Sequence, residues 1–318
     1  MILLWGVEEA PLRLLRDGLE EIGATFLFLN HADLSRVHLE VEYSPRAAGV
    51  LEVNGTAYRL EAFRSVFVRP HDVSDLPDFV DREAASAGWR HAGALQSLLW
   101  SYADVADALV VNRPSAMLSN GSKPYQSRLI EKQGFEVPET LLTTDPEAVR
   151  RFRAAHADVI YKSISGTRSI VSRLNDGHDG RLEDVRWCPT QFQRYVDGID
   201  YRVHVVGNWL VAARILSDAV DYRYGTTEME RCELPASVAG RCLALSQALR
   251  LPLAGIDLRQ AADGRWFCFE VNPAPGFSAY GVEIGREIGH RIARLLAEHD
   301  ERGCLGARRE GTYRSWPK

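Results

Sequence analysis

The apolar positions begin as a continuous run at 2–5 and then change period. Leu12, Leu15, Leu19 and Ile22 recur at helical spacing behind Pro11, a residue suited to a first helical turn. Gly23 stops that helix, and a second apolar run at 24–29 follows. Strand, helix and strand at this spacing predict a βαβ unit. Further strands are expected at 37–43, 49–53 and 56–60, the last two joined by Asn54-Gly55, a pair suited to a tight hairpin. A strand at 66–68, a helical stretch at 82–102 and a strand at 109–111 complete this texture. Asn112-Arg113-Pro114 marks its boundary.

Beyond the boundary, helices are expected at 124–134, from Asp145-Pro146 onward, at 235–249 and at 284–298. Strands are expected at 140–143, 158–162, 170–174, 191–196, 201–206 and 209–216, with Gly207-Asn208 as a turn. The polar stretches 163–169 and 175–183 read as loops, and 303–318 as a poorly ordered tail. The chain thus divides into an N-terminal α/β domain (1–112), a central α+β subdomain (113–185) and a C-terminal α+β subdomain (186–318). Such α+β units can enclose a ligand between them.

One hairpin in the last part carries chemistry. Asp263-Gly264 is the preferred pair for a two-residue type I′ turn, in which Ala262 would face Arg265. Counting outward sets Asp257 opposite Glu270, and strand alternation puts Asn272 on the face of Glu270. An Asp and a Glu on a hairpin are more often a solvated face. These two, however, are embedded in apolar strands, where adjacent carboxylates repel unless a cation or proton lies between them. Two carboxylates and an amide are hard oxygen ligands of the kind Mg²⁺ takes.

Composition narrows the class rather than the function. The 318 residues are 46% hydrophobic and 25% charged, as in an ordinary soluble protein. A net charge of −5 gives no basic footprint, so nucleic acid is not an expected partner. The five cysteines show no CxxC and no zinc spacing, which reads as reduced thiols in a cytoplasmic protein. The first residues lack a signal-peptide pattern, and no run of about 18 apolar residues predicts a membrane span.

Two lysines and one strand add a second constellation. Lys162 ends an apolar strand before the small-residue loop Ser163-Ile-Ser-Gly-Thr167, whose N–H groups and hydroxyls suit phosphate. Lys123 precedes the helix at Pro124. Neither site has the Walker spacing, and no phosphate-binding glycine loop follows the first strand, which speaks against a dinucleotide fold. The strand from Gln191 toward Arg202 can present backbone groups to an adenine edge, with Asp200 near the ribose hydroxyls and Arg202 on the same face. Taken singly, each has a plainer reading: a surface lysine before a turn, or a strand with an exposed polar face.

Six strings in order carry a resemblance: Asn120-Gly-Ser-Lys-Pro-Tyr-Gln126, Gly134-Phe-Glu-Val-Pro-Glu-Thr140, Val159-Ile-Tyr-Lys162, Asp200-Tyr-Arg-Val-His-Val-Val-Gly207, Gly255-Ile-Asp-Leu258 and Phe269-Glu-Val-Asn-Pro273. From about 112 to 298 the chain resembles the ATP-grasp superfamily, in particular the branch of ribosomal-protein S6 glutamate ligase and the microviridin-type peptide macrocyclases. Phe67-Val-Arg-Pro70 and the helix from Trp89 to Trp100 are similar to the peptide-maturase branch.

The resemblance implies an ATP-grasp fold and a set of roles. Lys123 and Lys162 would contact ATP phosphates, with Ser165, Gly166 and Thr167 closing over them. Gln193 and Val196 would form the adenine hinge, Gln193 standing where Glu is commoner. Asp200 would bind ribose, and Asp257, Glu270 and Asn272 would hold two Mg²⁺ ions. Arg202 and Lys162 would stabilise developing charge. Arg214 is a secondary candidate, because a Gly207-Asn208 turn pairs it with Tyr201 and faces it away from Arg202. Asp221-Tyr222-Arg223 would touch substrate.

The implied reaction is ADP-forming ligation of a carboxylate to an amine or hydroxyl through an acylphosphate. The expected substrate is a ribosomally made peptide whose leader docks near 82–102. The alternatives are ligation of free amino acids such as glutamate, and a catalytically silent nucleotide-binding module. A homodimer is a further family-level expectation.

Overall fold

The computed structural model describes residues 1–44, 46–71, 87–164, 171–217, 227–278 and 280–306. They form two compact units, one of Met1–Ser115 with the chain from Gly276 onward, the other of Ala116–Pro275.

The first unit is built on a parallel sheet ordered β2-β1-β6-β7. Its strands are β1 (Ile2–Gly6), β2 (Phe26–Asn30), β6 (Ser65–Arg69) and β7 (Leu109–Val111). β1 is buried at every position, as expected of a strand covered on both faces. Helix α1 (Ala10–Glu21) begins with Pro11 in its first turn and buries Leu12, Leu15 and Leu19. The expected βαβ crossover is therefore present, with β1 and β2 parallel. A separate antiparallel sheet joins β3 (His38–Glu42), β4 (Ala48–Val53) and β5 (Thr56–Arg59), and Asn54-Gly55 closes the β4–β5 hairpin with positive φ at both residues. Helix α2 (Ala87–Val105) lays Leu95, Leu99 and Tyr102 on a core that includes Trp5, Phe63 and Val66. The start of the expected 82–102 helix lies outside the described residues. Between α2 and the β3–β4 ribbon is a cavity of about 420 Å³, lined by His38, Leu39, Val50, His91 and Leu95 among others.

The second unit holds two sheets. The smaller is antiparallel, ordered β10-β9-β11-β8, from β8 (Thr140–Thr143), β9 (Val159–Ser163), β10 (Ser172–Arg173) and β11 (Thr190–Arg194). Tyr161 and Phe192 pack on one side of it with Val149, Leu182 and Val185. The larger, ordered β14-β13-β12-β15-β16, joins β12 (Gly198–Val206), β13 (Trp209–Ser217), β14 (Thr227–Cys232), β15 (Leu253–Ala261) and β16 (Trp266–Asn272). Val203, Val205, Ile256, Leu258 and Cys268 form its core face. Two helices cover that face: α3 (Lys123–Lys132) contributes Ile130, and the helix Ala236–Ala248 contributes Val238, Cys242 and Leu245. Alternation sends Asp200, Arg202, Asp257 and Arg259 to the opposite face.

Several elements differ from the sequence expectation, among them β14, which is not one of the expected strands. β11 pairs with β8 and β9, so it belongs with the central strands although it follows residue 185. The closing helix Val282–Gly306 groups with the first unit, where it packs along α1, rather than with the C-terminal strands. The polar stretch 175–183 is not a loop but part of a 3₁₀ run, Asp176–Arg186. Asn175 caps it by accepting from the Gly177 N–H, and Leu182 and Val185 bury one side. That helix carries its apolar positions only at its end, which hid it from a periodicity argument. Much of the expected tail at 303–318 lies outside the described residues, although the closing helix extends to Gly306.

Candidate active site

The hairpin reaches its expected pairing by an unexpected route. Asp257 does lie opposite Glu270, and Gly255 opposite Asn272. The turn, however, is one residue longer than the predicted type I′ pair. The Ala261 N–H donates to the Arg265 carbonyl (2.9 Å), and the Gly264 N–H to the Ala261 carbonyl (2.9 Å). Gly264 takes φ +85°, the left-handed residue that a three-residue hairpin loop requires. This offsets the strands by one. A β-bulge between Asp257 and Leu258 leaves Phe269 unpaired and restores the register.

Across the larger sheet the polar residues fall into rows. Arg202 pairs with Asp257, which pairs with Glu270. Asp200 pairs with Arg259, and His204 with Gly255. Arg202 Nη1 donates to Asp257 Oδ1 at 2.5 Å, with the arginine side chain 6% exposed and the aspartate 28%. Gly255 makes this possible, since a Cβ there would lie 2.6 Å from Pro275 Cβ and 2.8 Å from Arg202 Cζ. Gly255→Ala is therefore expected to cost about 1–3 kcal/mol and to push Arg202 off Asp257. Thermal unfolding reads the first effect. A variant as stable as the parent would show that the guanidinium has other room.

Asp257, Glu270 and Asn272 share the sheet face facing away from the core, as expected. Asn272 Oδ1 accepts from the Ala274 N–H (2.8 Å), and an amide oxygen has a second lone pair for a ligand bond. Two opposed, partly exposed carboxylates and an amide oxygen fit a hard divalent cation. Among the described residues no group of three His, Cys, Asp or Glu forms a metal cage. Two carboxylates and one amide would fill only part of the shell of an octahedral ion, and water or phosphate would take the rest.

The smaller sheet brings Lys162, Gln191 and Gln193 to one face by alternation. Gln193 Nε2 donates to Thr140 Oγ1 at 2.9 Å. Its Oε1, like that of Gln191, is buried without a hydrogen-bond partner among the described residues. A buried acceptor left unmatched is costly, and an N–H from a bound base would satisfy it. Lys123 Nζ reaches the Ser163 carbonyl at 3.4 Å, and a cavity of about 360 Å³ lies beside it, lined by Thr140, Leu142 and Gln191 among others. Ser165, Gly166 and Thr167 lie outside the described residues, as do Asp221, Tyr222 and Arg223.

Arg214 pairs in register with Tyr201, as the turn predicts, and its Nη2 donates to Glu230 at 2.7 Å. It is not brought to the face of Arg202.

Arg259 is the residue that sequence reasoning passed over. Nε and Nη2 donate to the two oxygens of Asp200 (2.7 and 2.6 Å), and Nη1 donates to the Val196 carbonyl (2.8 Å). Its guanidinium lies 5.4 Å from the Tyr195 ring and 5.3 Å from that of Phe269, the bulged residue. Burial opposes its charge, but the bond to Asp200 and the nearby negative groups hold its pKa above the ordinary value. The clue was positional: with Asp257 beside Arg202, antiparallel pairing puts 259 beside 200.

Comparison with known proteins identifies the family and the fold. The RimK-like ATP-grasp domain matches residues 122–296. A structure of the ATP-grasp ligase PsnB with minimal precursor, Mg and ADP is 25% identical, with a TM-score of 0.78 over 94% of this chain and 97% of that one. A RiPP-associated ATP-grasp ligase of Chryseobacterium gregarium, solved with ADP and a leader and core peptide, is 21% identical, with a TM-score of 0.79 over 93% of this chain and 96% of that one. In sequence, beta-citrylglutamate synthase B of Danio rerio is 27% identical over 209 residues, 59% of this chain and 50% of that protein. The chain spans about half the length of the curated relatives it matches. The domain match covers more than half of the sequence, and the chain belongs to the RimK-like ATP-grasp family.

Proposed function

We propose that this chain is an ATP- and Mg²⁺-dependent ligase that joins a carboxylate to an amine or hydroxyl. The observation that carries this reading is the row Arg202–Asp257–Glu270, a cation beside two opposed carboxylates on one sheet face. Asp257, Glu270 and Asn272 would hold two Mg²⁺ ions, which when bound neutralise phosphate charge. Lys123 and Lys162 would bind the phosphates, Ser165 and Gly166 would close over them, and Gln193 and Val196 would meet the base. Asp200 would accept from the ribose hydroxyls. A substrate carboxylate oxygen attacks the γ-phosphorus and ADP leaves. The amine or hydroxyl then attacks the acyl carbon of the acylphosphate, the C–O bond to phosphate breaks, and the nucleophile's proton leaves with the phosphate. Arg202 would stabilise the charge that develops in both steps.

No protein nucleophile is required. Burial pushes the Cys242 thiol up to about 12 and the Cys268 thiol well above its ordinary value, so both stay protonated.

The favoured substrate is a ribosomally made peptide, whose leader would dock along α2. Support comes from the cavity beside that helix and from neighbours solved with precursor peptides, PsnB and the Chryseobacterium gregarium ligase. The likeness to beta-citrylglutamate synthase B favours a second reading, the joining of free amino acids such as glutamate. The working form is taken to be a homodimer in the cytoplasm. Among the described residues no helix is long and apolar enough to cross a membrane.

ADP and phosphate release, with mass spectrometry of the products, separates these readings. The assay compares any small peptide encoded beside the gene with a panel of amino acids. Loss of about 18 Da per bond, one water, marks intramolecular condensation of the peptide. Gain of an amino-acid residue marks the second reading. AMP and pyrophosphate in place of ADP would sink the acylphosphate route, and binding without turnover would leave a silent nucleotide module.

A further inference from the structure

Arg259 stands outside the roles just given, and its contacts define a separate one. It is a buried guanidinium, with its side chain 10% exposed, and it donates to three acceptors on two segments. Two are the oxygens of Asp200, on β12. The third is the carbonyl of Val196, just past the end of β11. The Arg259 Cζ also lies over the rings of Tyr195 and Phe269, 5.4 and 5.3 Å from their centroids. Phe269 is there because the β-bulge leaves it outside the pairing.

A buried ion pair adds little net stability over apolar packing of the same volume, so what this one contributes is direction. The bidentate fork fixes the plane of the Asp200 carboxylate, which an aliphatic neighbour cannot do. A carboxylate has about four acceptor sites, of which the fork takes two, and the Asp200 side chain is 17% exposed, so hydroxyl donors can reach it. The same guanidinium ties that carboxylate to the strand end expected to meet the base.

We propose that Arg259 is a positioning residue for nucleotide recognition: it orients Asp200 toward the ribose hydroxyls and couples that contact to the base-binding strand through Val196. This rests on the nucleotide reading above. Its signature is a loss of sugar discrimination, not merely of affinity.

The test is calorimetric binding of ATP and of 2′,3′-dideoxy-ATP, each with Mg²⁺, to the full chain and to Arg259→Met and Arg259→Lys. The parent is expected to favour ATP by about ten- to a hundredfold, the worth of hydrogen bonds to a charged acceptor. In Arg259→Met that ratio should fall toward one, chiefly through weaker ATP binding, and Arg259→Lys should recover only part of it, lacking the fork. If Arg259→Met does not fold, the lysine variant alone decides. An unchanged ratio in the folded variants, with both nucleotides weakened equally, makes Arg259 a structural residue and overturns the assignment. A parent that binds both nucleotides equally also overturns it while leaving the ligase reading intact. A parent that binds neither overturns the nucleotide reading and this assignment with it.

Discussion

Glu270→Gln is expected to lower ADP and phosphate release by about a hundred- to a thousandfold, the scale on which one charge-stabilising group acts in a transition state. ATP binding is expected to stay within about tenfold of the parent, because the proposed lysine, base and ribose contacts would remain. Stability should move the other way. In the protein without cation, Asp257 and Glu270 are like charges directly opposite one another on paired strands. Such pairs are destabilising by about 0.2–1 kcal/mol. Removing one charge at constant shape should therefore raise the unfolding temperature of the metal-free protein slightly, and Mg²⁺ should stabilise the parent more than the variant. Phosphate release and a thermal scan with and without Mg²⁺ are sufficient. A variant that keeps its turnover would show that Glu270 does not hold a catalytic ion. One that loses turnover together with stability would point to a folding defect instead.

Gln126→Leu should destabilise the second unit by about 2–4 kcal/mol, the cost of leaving two buried backbone groups unsatisfied. Gln126 lies on α3, 3% exposed, and its amide does what a further strand would do for the edge of β16. Nε2 donates to the Val271 carbonyl at 2.9 Å, and Oε1 accepts from the Val271 N–H at 2.8 Å. Leucine has similar volume and fills the space, but it supplies neither bond. Val271 lies between Glu270 and Asn272, so the same change should loosen both proposed metal ligands. Denaturant unfolding gives the stability term. Mg²⁺-dependent stabilisation of the folded variant, weaker than in the parent, gives the second. A stability change below about 0.5 kcal/mol, the range of ordinary surface substitutions, would mean that water or a backbone shift satisfies Val271.

Much of the fold was legible in local pattern. The helix at Leu12, Leu15 and Leu19, the parallel strands around it and the Asn54-Gly55 hairpin follow from period and turn chemistry, which act over a few residues. The pairing of Arg214 with Tyr201 followed from one tight turn. The facing of Asp257 and Glu270 also came out as counted, though through two offsets that cancel. A three-residue loop moved the register one way and the bulge at Phe269 moved it back. A bulge is stabilised by what packs on either side of the strand, and neighbouring residue types along the chain do not report that.

By itself the sequence determined most helices and strands, the presence of two carboxylates on one hairpin, and six strings whose order resembles an ATP-grasp ligase. Each helix, strand, turn and string is set by residues close together in the chain. Tertiary structure alone decided that β11 joins the central sheet, that the closing helix packs with α1, that Gln126 seals the edge of β16, and that Arg259 grips Asp200 and Val196. Each of those contacts joins residues far apart in sequence. Each is selected by competition among many possible partners for the same buried surface or hydrogen bond, and that competition is resolved only when the whole unit is packed.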